Sequence, residues 1–361
     1  MRALYVRAAI LVANTILAFI ALNLAAAAWF ALTDRPEPAG ALRYGWERAR
    51  LAYPGMADAE IATLLAEAVT AQRTGGISYE YEQVTGFRES PIGGRYVNIV
   101  PAGFRVSAGQ GPWPPETDAV FLFGGSTTFG TGLPDDQTIA SHLHRIASDY
   151  CGRPVHVYNF GRGSYWSLQE RLLFEVLLNQ GVVPHVAVFL DGLNDLYFWN
   201  GEIKYAPDLK NLMAKKTPRQ LVGALADLPL VRAVRTQAAD DTAVGVVVER
   251  WERNRRLVDA AASAFGSRTL HVWQPIPTYG YDMSDHLFKD GFVGAFAEHR
   301  RAGLAYESIA PGPPNTLWLG EMQRGRHENL YVDPIHYSAA FSRDVAAAIH
   351  RALQDTGALR C

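Results

Sequence analysis

The stretch from Ala119 to Gly130 reads AVFLFGGSTTFG, and it is the clearest indication of the fold class. Five apolar residues make a run of strand length, two glycines follow, and Ser126 comes directly after them. Near-continuous apolar runs are typical of parallel strands, because helices cover such strands on both faces. Ligands bind beyond the carboxyl ends of these strands. The stretch therefore predicts a buried strand that delivers Ser126 to the ligand-binding edge of a sheet.

The same alternation continues along the chain. Further apolar runs of strand length occupy Val155–Phe160, Val186–Leu190 and Leu270–Trp273. Longer segments with helical periodicity lie between or after them, at Thr138–Ser148, Ser167–Asn179, Glu249–Phe265 and Ser342–Gln354. Short strands that alternate with helices indicate parallel βαβ units. We therefore expect an α/β fold, a three-layer sandwich around a mostly parallel sheet of about five strands.

The composition excludes some functions. The chain has 361 residues, with 34 Lys and Arg against 36 Asp and Glu, so the formal charge is −2. A nucleic-acid-binding protein needs a surplus of clustered basic residues, and we expect no nucleic-acid partner. The hydrophobic share of 48% is enough to bury a large core. The two cysteines, Cys151 and Cys361, are too few for a disulfide framework, and the sequence leaves their pairing open.

An uncharged run from Ala8 to Leu32 lies near the N-terminus. About 25 residues at about 1.5 Å each make a helix long enough to cross a bilayer. Arg2 and Arg7 precede the run, so the positive-inside rule predicts that residues 1–7 are cytoplasmic and that residues after 32 lie outside. We expect a single-pass membrane protein with a signal anchor over 8–32. The alternative is a cleaved signal peptide and secretion, since residues 24–28, LAAAA, could supply a small-residue cleavage site.

Beyond this run, two further divisions follow from the sequence. Residues 33–117 are expected to be a linker and an irregular segment that wraps the main domain, with one helix at Ala57–Arg73. Residues 118–361 form the α/β domain. An insertion at about 200–248 contains three prolines and predicts short helices over one edge of the sheet. It either shapes a substrate entrance or is purely structural.

Three more turns carry polar residues at strand ends or before the last helix. Residues 159–167 read NFGRGSYWS, and residues 191–195 read DGLND. Asp333 precedes His336 by three positions, so the carboxylate can orient the ring of a general base. Each turn alone also fits an ordinary loop or helix cap. Their occurrence in this order, together with the Ser126 turn, points to nucleophilic catalysis.

The four turns resemble the conserved blocks of the SGNH hydrolases, also called the GDSL-like esterase family. Ser126 matches the nucleophile of the first block, where Gly125 replaces the aspartate of the GDS motif. Asn194 matches the asparagine of the third block, which donates to the oxyanion. Asp333 and His336 match the DxxH pair of the last block. The resemblance covers roughly residues 118–353, about two thirds of the chain.

The second block is less regular. Counted from Asn159, its backbone oxyanion donor falls on Ser164, with Gly163 one position earlier. We favour Gly163 as the donor and keep Ser164 as the alternative. The resemblance implies an acyl-enzyme mechanism in which Asp333 orients His336. The oxyanion would be held by the Ser126 N–H, the second-block N–H and the Asn194 side chain.

The resemblance implies no cofactor and no metal. Since the domain is expected to face outward, the expected substrate is an O-acyl or O-acetyl group on envelope or exported carbohydrate, removed or transferred. Tyr165, Trp166 and Tyr197 follow strand ends and could stack on sugars, or they could pack under loops. Two alternatives stay open: an idle, membrane-tethered scaffold or glycan-binding protein, and a lipase or thioesterase.

Overall fold

The computed structural model describes residues 2–33, 40–72, 79–115, 118–204, 244–293 and 299–361. The chain divides into two compact units. The described part of the smaller unit is one helix, α1, Arg2–Thr33. The larger unit contains the other elements. Most of the predicted insertion at 200–248 lies outside the described residues.

Helix α1 is long and apolar enough to cross a bilayer, and an 18-residue window within Arg2–Trp29 has a mean hydropathy of 2.2. Two of its polar side chains donate hydrogen bonds within the helix itself. The Thr15 hydroxyl donates to the Leu11 carbonyl at 2.9 Å, and the Asn23 amide donates to the Phe19 carbonyl at 2.8 Å. Such internal bonds lower the cost of placing polar groups in hydrocarbon. By length and composition the helix fits either a membrane anchor or a signal sequence.

The larger unit contains nine strands among the described residues. They are β1 (Tyr79–Glu82), β2 (Gly86–Glu89), β3 (Ile92–Gly93), β4 (Asn98–Ile99), β5 (Ala119–Gly124), β6 (His156–Gly161), β7 (Val186–Asp191), β8 (Arg268–Trp273) and β9 (Leu317–Trp318). The described α-helices of this unit are α2 (Trp46–Ala52), α3 (Asp58–Gln72), α4 (Ser126–Phe129), α5 (Ile139–Cys151), α6 (Ser167–Asn179), α7 (Leu193–Tyr197), α8 (Val244–Ala264), α9 (Arg300–Ile309) and α10 (Ala339–Asp355).

The central sheet has five parallel strands in the order β6-β5-β7-β8-β9. Strand β5 is therefore paired on both sides, and the chain moves to the opposite side of it between β6 and β7. In open α/β sheets the ligand crevice opens at the point where the strand order reverses. This topology places the turns after β5, β6 and β7 at one edge of the sheet.

Side chains of β5 alternate between two apolar clusters, as the period of two in a strand requires. Val120 and Leu122 face helices α5 and α10, whereas Phe121 and Phe123 face α6 and α8. Helices thus cover both faces of the sheet. The structure confirms the predicted three-layer α/β sandwich with a five-stranded parallel sheet.

The lead-in segment before β5 is more ordered than expected. Strands β1 and β2 form an antiparallel hairpin, and Phe87 of β2 joins the same apolar cluster as Phe121. Arg105 is fully buried, and its guanidinium donates to the carbonyls of Phe129 at 2.8 Å and Gly130 at 2.6 Å. The segment therefore supports the turn that carries Ser126.

The two cysteines form a disulfide between Cys151 and Cys361, with a Cα–Cα distance of 4.8 Å. Cys151 is the last residue of α5, and Cys361 follows α10 on the same face of the sheet. The bond joins two positions that are 210 residues apart in the sequence. It resolves the pairing that the sequence leaves open.

Candidate active site

Ser126 sits at the start of a tight strand-to-helix turn. Strand β5 ends at Gly124, and Ser126 is the first residue of α4. Gly124 has a φ of 156°, and a Cβ there would lie 2.0 Å from Thr128 Oγ1 and 2.9 Å from the Leu190 carbonyl oxygen. Only glycine fits this position without a shift of its neighbours. The turn leaves the Ser126 hydroxyl at the carboxyl end of the sheet.

The structure brings Ser126, His336 and Asp333 into one hydrogen-bonded row. His336 Nε2 lies 2.8 Å from Ser126 Oγ, and His336 Nδ1 lies 2.6 Å from Asp333 Oδ2. An ionised carboxylate can only accept, so Nδ1 carries the hydrogen and Nε2 accepts from the serine hydroxyl. This is the arrangement of a nucleophile, a general base and an orienting carboxylate.

Asp333 stays ionised although it is buried. Burial alone would raise its pKa, but the attraction of His336 and the hydrogen bonds to the carboxylate outweigh this and hold the pKa below its ordinary value. Oδ1 accepts the backbone N–H groups of Ile335 and His336, both at 2.9 Å. A charge that is fixed in this way can stabilise an imidazolium at His336.

A second histidine, which the sequence reasoning missed, supports the DxxH loop. His286 Nδ1 accepts the Phe288 N–H at 3.0 Å, so its Nε2 carries the hydrogen and donates to the Pro334 carbonyl at 3.2 Å. Burial lowers the pKa of His286 to about 4, which keeps the ring neutral at neutral pH. No local motif marks His286, because its contact spans 48 positions.

Asn194 lies beside the nucleophile turn. Its Nδ2 donates to the Tyr165 carbonyl at 2.6 Å, and a Cβ on Gly125 would stand only 2.3 Å from the same nitrogen. A carboxamide carries two N–H groups, so one can donate to Tyr165 and the other to an oxyanion next to Ser126. Gly125 leaves the space that Asn194 occupies.

The geometry of the second block favours Ser164 over Gly163. The Gly163 N–H donates to Glu89 Oε1 at 2.6 Å and points into a buried contact. Ser164 has a φ of 64°, in the left-handed region where glycine is common, and it occupies the position reached by counting from Asn159. Within the described residues its N–H donates to no protein acceptor. The Glu89 contact argues against Gly163 as an oxyanion donor.

A buried polar network lies behind the turns that carry Ser164 and Asn194. Asp195 Oδ1 accepts the Ser167 hydroxyl at 2.6 Å, which ties the start of α6 to α7. Burial, with repulsion from Asp195, raises the pKa of Asp191 to about 7. Burial also raises the pKa of Glu170, which neighbours Asp191. Trp251 Nε1 donates to Asp191 Oδ2 at 2.9 Å.

Two of the three aromatic residues proposed for substrate contact are core residues. Tyr165 and Trp166 are fully buried, so neither can stack on a sugar. Arg162 donates to the Tyr165 hydroxyl at 2.9 Å, and the Arg250 guanidinium lies 4.3 Å from the centre of the Trp166 ring. Tyr197 is 44% exposed and stays a candidate.

No protein-family model matches the chain, and no curated protein matches it. Solved structures do. One is a putative lipolytic protein of the G-D-S-L family from Desulfitobacterium hafniense, with 12% identity, a TM-score of 0.34, and coverage of 65% of this chain and 99% of that one. Another is Est24, a carbohydrate acetylesterase from Sinorhizobium meliloti, with 16% identity, a TM-score of 0.35, and coverage of 66% and 100%.

A third is the psychrotrophic esterase EstA from Pseudoalteromonas sp., with 12% identity, a TM-score of 0.35, and coverage of 66% of this chain and 98% of that one. Each of these three matches covers about two thirds of this chain. The chain is thus similar, over that length, to solved lipolytic proteins and esterases.

Proposed function

We propose that the protein is a serine ester hydrolase of the SGNH kind. The observation that carries this proposal is the row of Ser126, His336 and Asp333, joined by contacts of 2.8 Å and 2.6 Å. A serine whose hydroxyl meets a carboxylate-oriented imidazole is an activated nucleophile. A purely structural role would require neither this order of groups nor a nucleophile at the ligand-binding edge of the sheet.

The first half of the reaction makes an acyl-enzyme. His336 Nε2 takes the proton of Ser126 as Oγ attacks the ester carbonyl carbon. The oxyanion that forms accepts hydrogen bonds from the Ser126 N–H, the Ser164 N–H and Asn194 Nδ2. When the intermediate collapses, the bond to the alkoxy group breaks and His336 returns the proton to the leaving alcohol.

The second half releases the acid. His336 takes a proton from water, the resulting hydroxide attacks the acyl carbon, and Ser126 leaves as it regains its proton. If a sugar hydroxyl takes the place of water, the acyl group is transferred instead of hydrolysed. The same residues serve both outcomes, so the choice depends on what the site admits.

The substrate class that we propose is an O-acyl or O-acetyl ester on carbohydrate outside the membrane. Three features support it. Arg2 and Arg7 lie in the first turns of helix α1, before its uncharged stretch, as in a membrane helix with a cytoplasmic N-terminus. Disulfides such as Cys151–Cys361 persist in oxidising compartments. Tyr197 is partly exposed and lies on α7, three positions after Asn194, where a ring can contact a sugar.

The test is an acyl-release assay on the full chain in detergent, with acetylated saccharides, a lipid ester and a thioester offered side by side. We expect acetate release from the saccharides and none from a Ser126→Ala variant. A fluorophosphonate probe should label the wild type and not this variant. A folded wild type that stays unlabelled would indicate a scaffold or glycan-binding protein, and selective turnover of the lipid ester or thioester would indicate those substrate classes.

A further inference from the structure

We propose that Glu89, on the hairpin β1–β2, is a positioning residue for the oxyanion site, because its carboxylate holds the turn that presents the Ser164 N–H. The contact between Glu89 Oε1 and the Gly163 N–H, at 2.6 Å, carries this inference. The inference rests on the proposed function and deepens it. Glu89 lies in the lead-in segment, well before the four sequence blocks.

The hairpin holds the second-block turn on both sides of Ser164. Glu82 forms an ion pair with Arg162, Glu89 accepts from Gly163, and the Phe87 carbonyl accepts from the Tyr165 hydroxyl. Residues 162, 163 and 165 are therefore each bound by the hairpin. Ser164 is the residue between them, and its backbone direction follows from theirs.

This support matters because Ser164 has an unfavourable backbone conformation. Its φ of 64° is one that residues other than glycine rarely adopt. Such a conformation persists where surrounding contacts impose it. If the Gly163 N–H lost its acceptor, the turn would be free to relax toward a common conformation, and the Ser164 N–H would turn away from the oxyanion.

The same turn also positions Asn194 Nδ2, which is another of the oxyanion donors. The Tyr165 carbonyl accepts from Asn194 Nδ2 at 2.6 Å, so a shift of the turn moves the carboxamide as well. The hairpin thereby influences two of the three oxyanion donors. Catalysis depends on donors that are placed in advance where charge develops in the transition state.

A space-filling role would not select glutamate at this position. Glu89 is only 3% exposed, and a buried carboxyl is costly unless it is hydrogen-bonded or paired. An apolar side chain of similar volume often stabilises a fold as well or better. Burial raises the pKa of Glu89 to about 7, and the Arg162 charge and the Gly163 N–H oppose that rise. The hydrogen bond that the Glu89 carboxyl accepts from the Gly163 N–H therefore accounts for a glutamate at this buried position.

The experiment compares Glu89→Gln, Glu89→Asp and Glu89→Ala in the full chain with p-nitrophenyl acetate as substrate. Glutamine keeps an acceptor oxygen at the same reach, aspartate withdraws it by one methylene, and alanine removes it. Glu80→Ala is the matched control, because Glu80 lies on the same hairpin but pairs with Arg88 instead of the turn. Thermal unfolding of each variant and Ser126→Ala activity are measured in parallel.

We expect Glu89→Ala to lower kcat by at least about tenfold with KM changed less than about twofold, since a displaced donor acts in the transition state. Glu89→Gln should stay near the wild type, Glu89→Asp should fall between, and Glu80→Ala should resemble the wild type. Equal losses in Glu89→Gln and Glu89→Ala overturn the proposal, as does a Glu89→Asp variant that is folded and fully active.

The measurements distinguish an absent esterase activity from an absent role of Glu89. A folded wild type without turnover or labelling overturns the proposed function and this inference with it. A wild type that depends on Ser126 but tolerates Glu89→Ala overturns only the role of Glu89. A loss in Glu89→Ala that matches the loss in Glu80→Ala, with an equal drop in unfolding temperature, also overturns it, because the hairpin would then contribute stability alone.

Discussion

Asp333 holds His336 by two different bonds. Its Oδ2 accepts the ring Nδ1–H at 2.6 Å, and its Oδ1 accepts the backbone N–H of the same residue at 2.9 Å. One carboxylate therefore fixes both the loop and the ring that it carries. Because the ring is oriented in this way, its other nitrogen faces Ser126 Oγ at 2.8 Å.

The substitution Asp333→Asn should preserve the fold but remove the charge behind the ring. We expect kcat for ester hydrolysis to fall by about 10⁴-fold, since the amide favours the wrong tautomer of His336 and cannot stabilise an imidazolium. Steady-state kinetics and circular dichroism check this. Asp290→Asn is the control, because Asp290 pairs with Arg48 at the surface. Equal activity of both variants would contradict the orienting role of Asp333.

The substitution Gly125→Ala tests the space that Asn194 needs. The new Cβ would meet Asn194 Nδ2 at 2.3 Å, so the carboxamide must move although the Gly125 backbone, with a φ of −80°, accepts alanine. We expect kcat to fall by about 10- to 1000-fold, up to the size of a lost oxyanion donor, with little change in KM. Gly245→Ala, which meets open space on α8, should have no effect. Full activity of Gly125→Ala would show that Asn194 is not needed there.

The pair of Glu170 and Asp191 predicts how stability depends on pH. Burial raises both pKa values, with added repulsion from Asp191 at Glu170 and from Asp195 at Asp191, where the pKa reaches about 7 against an ordinary 3.8. Between these values the folded protein keeps a proton that the unfolded chain releases, so the free energy of unfolding falls as pH rises. Glu170→Gln should remove much of this dependence.

We therefore expect Glu170→Gln to unfold at a higher temperature than the wild type at pH 8, by a few degrees, and at a more similar temperature at pH 5. Calorimetry at both pH values measures this. Glu175→Gln, on the same helix but partly exposed and paired with Arg171, should show no such trend. A temperature difference that is the same at both pH values would contradict the raised pKa values of these buried carboxyls.

The disulfide predicts a loss of stability on reduction. Cys151→Ser together with Cys361→Ser should lower the free energy of unfolding by about 2–4 kcal/mol, because the open chain gains conformational freedom when unfolded. Reductant should lower the unfolding temperature of the wild type and leave that of the double variant unchanged. Esterase activity should persist, since the bond lies on the helical face and not among the turns. A wild type that is indifferent to reductant would count against the bond.

The parts of the site that were predictable from sequence are those with local spacing. Ser126 follows a strand and two glycines, and Asp333 lies three positions before His336, so short patterns mark them. The apolar runs also predicted four of the five central strands, because buried strands have a continuous signal. Strand β9 has two residues and offers no such signal.

The features of the site that the sequence did not predict depend on contacts between residues that are far apart in the chain. Whether Gly163 or Ser164 presents its N–H follows from a left-handed backbone at Ser164 and from a contact with Glu89 that spans 74 positions. Tyr165 follows a strand end in the same way as Tyr197, yet one is core and the other is exposed. Both residues are tyrosines, and they differ only in how the rest of the protein packs around them.

The hairpin β1–β2 also bears on how the catalytic domain should be delimited. A truncated protein that begins near residue 118 would retain every residue of the four recognisable blocks. It would nevertheless lack Glu82 and Glu89, and with them the acceptors for Arg162 and Gly163. Boundaries chosen from motifs alone would therefore yield a protein that contains every motif residue. Its oxyanion site would lack the contacts that position the turn around Ser164.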